Sequence, residues 1–492
     1  MQLTKTDFIQ YLNCPESLWL LKNRPEVYDT YKGKFSLFLE KLIKEGYEVE
    51  EYAKLLFSNG LDLPENSTPN YTQEQLKSNK TVFFQPSFST QKEIFARIDV
   101  LEKLDNGTFH IYEIKSAVSI KKGKLEDVCF QKYVLQECGY TVSKVSIIHL
   151  NKEYIKQGAI IPEELLEVSE VTEQINSIFS SVVNEIIAAS NFINKEAINE
   201  NECRCRYKTR TNHCDTFKYF NKDVPEFSIY EIGRISTKKI GQLVDNNYLS
   251  IVDIPLDFEL STKQQSQVES VRQEEVIINK PAIESNLSKL KFPLHFIDYE
   301  TFPTAIPLLN NMSPHNHLVF QVSIHTMQAN GDITHFEWLG EKIEQPVEML
   351  QQLQEFTGHT GTFISWYAPF EIGRNKDMAG WIPEFSDYLN HMNTNMFDLM
   401  DVFKSDYMDY RFHGSTSIKK VLPVLCPQFS YSDLVVQDGT MALDTWGRMI
   451  TDSKFYEDVE KTRKNLLAYC ELDTLAMVEI FKTLKNQEKT HF

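Results

Sequence analysis

No apolar run in this 492-residue sequence approaches the ~20 residues that a membrane-crossing helix needs. The opening stretch, MQLTKTDFIQYLNC, lacks the apolar core of a secretion signal. Internal repeats and low-complexity tails are absent too. These absences lead to the expectation of an intracellular, cytoplasmic protein with no membrane partner. Cysteine is sparse, with 8 residues, and without a secreted context disulfides are not expected. Positive charge is in deficit: 51 Lys and Arg face 69 Asp and Glu, a net charge of −18. That balance weighs against broad, sequence-independent nucleic-acid binding. What is present is an apolar fraction of 42% with 12% aromatics, ample for globular packing. The length exceeds one compact core, so two or three domains are expected.

The most informative residues are Asp298-Tyr299-Glu300-Thr301, which follow the apolar pair Phe296-Ile297. In a strand, alternate side chains share a face, so Asp298 and Glu300 project together. Two like charges that close call for a cation, and a hard ion such as Mg²⁺ or Mn²⁺ suits carboxylate oxygens. Further acids lie downstream. Glu371 follows a short strand-like run at 362–364 and opens the next helix. Tyr469 and Asp473 are four apart in a helical pattern over 462–484 and share one helix face. Such acids can converge on two metals about 4 Å apart, which clamp the attacking and leaving oxygens of a phosphodiester displacement.

This order resembles the tyrosine-bearing DEDD exonucleases of the RNase H-like fold, over about residues 290–485. Their Asp-x-Glu motif is met by Asp298 and Glu300, and their Tyr-x-x-x-Asp motif by Tyr469 and Asp473. The second motif usually ends in Asp; here Glu371 stands there, with Asp398 as the competing ligand. The segment 414–421, GSTSIKKV, resembles the start of the helix that precedes the last acid in such enzymes.

A second constellation lies in the first half. Residues 94–102 alternate like a strand, Asp105-Asn106-Gly107 is a strong hairpin signal, and 108–116 returns as the partner strand. Glu113 and Lys115 share a face of that strand, and Asp99 faces them across the hairpin. Two acids can hold a metal while a lysine orients water or stabilises developing charge. This resembles the PD-(D/E)XK nuclease core in its RecB-like branch. The resemblance implies a helical glutamine, matched by Gln131, and an acid on an early helix, matched by Glu51.

Cys203, Cys205 and Cys214 form a tight group that suggests a metal site lacking one ligand, and Cys14 is the best fourth. In RecB-like nucleases related to CRISPR-associated exonucleases, one N-terminal cysteine and a later group of three bind a [4Fe–4S] cluster. That resemblance implies the same here. Zinc is the alternative, with His213 as a substitute ligand, and dispersed reduced thiols are the third reading. Cys129, Cys138, Cys426 and Cys470 read as core residues. Arg204, Arg206, Lys208 and Arg210, and Lys121, Lys122 and Lys124, either contact phosphates or form solvated loops.

The expected organisation is α/β throughout. A RecB-like PD-(D/E)XK, restriction-endonuclease-like domain spans 1–220, with a mainly helical stretch at 160–194. A helical connector follows at 221–288, in which 261–275 reads as a linker or exposed helix. An RNase H-like DEDD exonuclease domain spans 289–492. The resemblances imply a metal-dependent exonuclease acting on single-stranded DNA, with RNA as a further substrate and a helicase or defence-system partner. The competing reading is a nucleic-acid-binding scaffold with one or both centres inactive. A third has one domain cutting while the other grips the strand.

Overall fold

The computed structural model describes residues 1–33, 37–120, 122–452 and 458–489; Lys121 of the basic stretch lies outside them. The fold is mixed α/β, with four sheets and nineteen α-helices among the described residues. The chain divides into two compact units, Met1–Val224 and Pro225–Phe492. Most of the stretch expected as a connector therefore falls within the second unit. None of the described helices is long and apolar enough to cross a membrane.

The first unit is built on a six-stranded sheet in the order Leu61–Asp62, Val82–Phe84, Val100–Lys103, Phe109–Lys115, Val142–Leu150, Leu166–Glu170. Phe109–Lys115 and Val142–Leu150 run parallel, a pairing that needs a crossover; the helix Lys122–Glu137 supplies it. The sequence pattern predicts one strand over 94–102, but the structure breaks it. Ile94–Arg97 joins a small sheet with Leu3–Thr4 and Ser87–Ser89, whereas Val100–Lys103 joins the large one. Asp99 sits at the break, where its carboxylate accepts the backbone N–H of Ile114 at 2.8 Å. Both halves alternate, so alternation alone does not reveal a change of sheet. The hairpin turn forms as expected, with Gly107 at φ +78°. The helical stretch at 160–194 resolves into an edge strand, Leu166–Glu170, and the helix Thr172–Ile193. That helix buries Ile175, Val182, Ile186, Ala189 and Ile193, one apolar face at helical spacing.

The second unit centres on a five-stranded sheet in the order Ile333–Leu339, His317–Met327, Leu294–Pro303, Thr362–Ser365, Met396–Asp398. His317–Met327 pairs antiparallel with both Ile333–Leu339 and Leu294–Pro303, and the last two strands run parallel to Leu294–Pro303 and to each other. The long helix Val459–Lys489 packs across His317–Met327 and Leu294–Pro303. The Gln-rich stretch forms the helix Thr262–Gln273, started by a capping box of Ser261 and Gln264. It is not an exposed linker: Gln267 is buried and its side chain bonds the backbone of Gly233 and Glu231.

Candidate metal centres

In the second unit, the strand Leu294–Pro303 presents Asp298 and Glu300, and the helix Val459–Lys489 presents Asp473. One carboxylate oxygen from each lies within 4.8 Å of the others. The strand register slips between Glu300 and Thr301, the kind of irregularity that re-aims side chains beside a site. At such separations each pair of charges repels by about 3 kcal/mol at an effective dielectric constant near 20. Burial, and then the neighbouring carboxylates, push Asp298 and Glu300 well above the usual carboxyl range. Burial lifts Asp473 to about 6.

Glu371, in the first turn of the helix Pro369–Trp381, is buried. Burial and the charge of Asp298 raise its carboxyl well above the ordinary range. Its Oε2 is buried without a hydrogen-bond partner. Asp398 is occupied elsewhere: it accepts the backbone N–H groups of Tyr367 at 3.0 Å and Met400 at 3.1 Å, and pairs with Lys404 at 3.3 Å. Of the two competing acids, Glu371 is the one left available. Tyr469 lies one turn before Asp473, and its hydroxyl is 3.5 Å from Lys419 Nζ.

Three neighbours escaped the sequence reading. Lys419, on the helix Ile418–Leu425, sits over the rings of Tyr469 and Tyr431, 5.3 Å from each centroid. Tyr431 donates to Asp473 Oδ1 at 2.5 Å. Cys470 is buried as expected, but its thiol also reaches Asp298 Oδ2 at 3.6 Å. The segment 414–421 was the one available signal for Lys419; nothing local marks Tyr431.

In the first unit, Asp99, Glu113, Lys115 and Gln131 come together around Glu113. Lys115 Nζ lies 2.7 Å from Glu113 Oε1 and 2.7 Å from Asp127 Oδ2. Gln131 donates to Glu113 Oε2. A second ammonium reaches the same carboxylate: Lys5, from the helix Lys5–Asn13, lies 2.7 Å from Glu113 Oε1. Burial alone would raise the carboxyl of Glu113, but Lys5 and Lys115 hold it down at about 2. Burial and the charge of Glu113 raise Asp99 to about 7. The expected early-helix acid, Glu51, is not brought to this site: its side chain is 72% exposed and pairs with Lys54 at 2.9 Å. Its neighbour Glu50 is only 16% exposed, bonds Gln85 at 2.6 Å, and adds its charge at Asp99. One residue is about 100° of helix rotation, enough to exchange the inner for the outer face.

Cys14, Cys203, Cys205 and Cys214 are all buried, with their four sulfurs within 4.8 Å of one another. Cys203 and Cys214 Sγ are 4.0 Å apart. A single tetrahedral zinc with Zn–S near 2.3 Å sets sulfurs about 3.8 Å apart. A [4Fe–4S] cluster gives each thiolate its own iron and holds the four sulfurs wider. The donor set suits either soft centre. His213 is stacked on Phe217 with Nε2 at 3.1 Å from Lys208 O and is not part of the sulfur group. The nearby basic residues are engaged internally: Arg206 pairs with Asp223 at 2.6 Å, and Lys208 bonds Asn13 O at 2.5 Å.

Residues 295–417 match a protein family described as "Domain of unknown function (DUF2779)". The matched segment holds Asp298, Glu300 and Glu371 but stops before Tyr469 and Asp473. The chain is similar to uncharacterised protein MG366 of Mycoplasma genitalium, 26% identical over 218 residues, covering 39% of this chain and 32% of the relative. It is also similar to uncharacterised protein UU173 of Ureaplasma parvum, 26% identical over 296 residues, covering 54% of this chain and 40% of the relative. The chain thus spans two-fifths or less of the length of these curated relatives. Among solved structures, one titled "Crystal structure of SSO0001" matches with a TM-score of 0.20 and 12% identity, covering 38% of this chain and 76% of that one. A score that low carries no argument about fold.

Proposed function

We propose that this chain is a metal-dependent nuclease that hydrolyses phosphodiester bonds at nucleic-acid ends, with its principal centre in the second unit. The observation that carries the reading is the convergence of Asp298, Glu300 and Asp473, from a strand and a distant helix, with Glu371 near enough to feel the charge of Asp298. Asp298, Glu300 and Asp473 feel the charge of Lys419, and three carboxyls against one ammonium leave a charge excess that a hard divalent cation removes. Mg²⁺ or Mn²⁺, when bound, activates water and neutralises charge on the phosphate. The hydroxyl of Tyr469 orients the attacking water, and Lys419 stabilises the charge that develops on the phosphoryl oxygens. In the proposed fold, the second unit is RNase H-like with DEDD-type acids, and the first is a PD-(D/E)XK nuclease of the RecB-like kind. The expected substrate is single-stranded DNA, with RNA as the alternative.

A specific observation favours unequal roles for the two centres. In the first unit, Glu113 is already paired with both Lys5 and Lys115, and Lys115 also pairs with Asp127. That site needs a cation far less than the carboxylates of the second unit do. We therefore assign cutting to the second centre and strand holding, or cutting only after Lys5 withdraws, to the first. The test is cleavage of end-labelled single- and double-stranded DNA and RNA with Mg²⁺ or Mn²⁺, by anaerobically purified wild type, Lys115→Ala and Asp298→Ala. Loss of cleavage in Asp298→Ala with retention in Lys115→Ala is the expected result. Loss in Lys115→Ala alone would reverse the assignment. No cleavage of any substrate by wild type would leave the nucleic-acid-binding scaffold as the better reading.

A further inference from the structure

A third group of ligand-type side chains lies in the second unit, apart from the carboxylate centre. His325 and His335 stand directly opposite each other on the antiparallel strands His317–Met327 and Ile333–Leu339. Their rings are stacked, with centroids 4.3 Å apart. Glu471, on the helix Val459–Lys489, completes a set whose ligand atoms lie within 4.8 Å of one another.

One nitrogen of each ring is held by a buried hydroxyl: His325 Nδ1 lies 2.8 Å from Thr474 Oγ1 and His335 Nε2 lies 2.9 Å from Ser323 Oγ. The two hydroxyls bond each other at 2.8 Å, and Thr474 Oγ1 also lies 3.1 Å from Glu471 O. The other nitrogens, His325 Nε2 and His335 Nδ1, make no part of that network. Anchoring the ring through the far nitrogen is how metal-binding histidines are held. His335 Nδ1 is 3.9 Å from Glu471 Oε1. Glu337 lies two residues along the strand from His335, on the same face.

We infer that His325, His335 and Glu471 form a binding site for a divalent transition metal of the zinc class, with Glu337 or water as the fourth ligand. Imidazole donors suit Zn²⁺ and not Mg²⁺, and Zn²⁺ also takes a carboxylate oxygen. The ion would tie the edge strand Ile333–Leu339 to the helix that carries Tyr469 and Asp473.

The test is zinc stoichiometry of the full chain, stripped with chelator and dialysed against micromolar Zn²⁺ with excess Mg²⁺ to occupy the carboxylate centre. Wild type, His335→Ala, Glu471→Gln and Cys203→Ser run side by side. Glu471 is on an exposed helix face, so Glu471→Gln preserves the fold even if His335→Ala does not. The expected result is one zinc equivalent fewer in His335→Ala, and binding about tenfold or more weaker in Glu471→Gln. The loss should be additive with that of Cys203→Ser. In Co²⁺-loaded Cys203→Ser, the remaining centre should show ligand-field bands without thiolate charge transfer. Zinc content and affinity unchanged in both histidine-site variants, or occupancy only at millimolar zinc, overturns the inference. Neither outcome depends on whether the chain cuts nucleic acid.

Discussion

Replacing Asp298 by asparagine should stabilise the second unit without metal and destabilise it with metal. In the metal-free protein, Asp298 is buried against Glu300 and Asp473, and each close pair costs about 3 kcal/mol at an effective dielectric constant near 20. Partial protonation relieves some of that repulsion, so a net gain of about 1–3 kcal/mol in EDTA is expected for Asp298→Asn. At roughly 2–4 °C per kcal/mol for a unit of this size, Tm should rise by about 2–12 °C. With Mg²⁺ or Mn²⁺ at about 100 times Kd, wild type should gain about 2.7 kcal/mol and the variant little or none, reversing their order. The pH dependence carries the same sign. The carboxyl of Asp473 is raised to about 6, and Asp298 and Glu300 are raised further. The folded state therefore binds more protons than the unfolded chain above pH ~4. Metal-free stability should fall as pH climbs from ~4 through 6 and beyond, with Asp473 alone accounting for roughly 3 kcal/mol. Thermal and urea melts with EDTA or Mg²⁺, at pH 5 and pH 8, read both effects. A variant that melts below wild type in EDTA at pH 8 would refute the reasoning.

Lys5→Met should raise the affinity of the first unit for Mn²⁺ in calorimetric titration, because it removes one of the two ammonium groups on Glu113. The same change should destabilise the metal-free unit by about 1–3 kcal/mol in urea melts. Lys419→Met should lower kcat by about 10²–10³-fold with little change in substrate binding, as loss of a charge-stabilising group does; single-turnover cleavage separates the two effects. Cys203→Ser should release one metal centre and lower the urea midpoint of the first unit. Metal analysis of wild type identifies that centre: zinc without acid-labile sulfide indicates a single ion. Iron with acid-labile sulfide and a brown absorbance near 400 nm would instead indicate the cluster.

Much of each centre was legible because its parts are local patterns. Asp298 and Glu300 share a strand face by period two; Tyr469 and Asp473 share a helix face by a spacing of four. Glu113, Lys115 and the Gly107 turn follow the same rules. Glu51 was misplaced because an early-helix acid has no local signal that separates inner from outer face, and Glu50 faces inward. The strand at 94–102 was read as continuous because a change of sheet at Asp99 leaves the alternation intact.

By itself, the sequence determined the elements, the faces on which acids and lysines sit, and the cysteine grouping, because these follow from residues a few positions apart. Only the tertiary structure decided which distant groups meet. Lys5 is 108 residues from the Glu113 it neutralises. Thr474 lies 149 residues from His325, whose ring nitrogen it bonds. Asp398 was a competitor to Glu371 until the backbone around it was seen to consume its oxygens. Convergence of this kind depends on strand order and helix packing, and the energies that select those are summed over the whole core rather than written in any one segment.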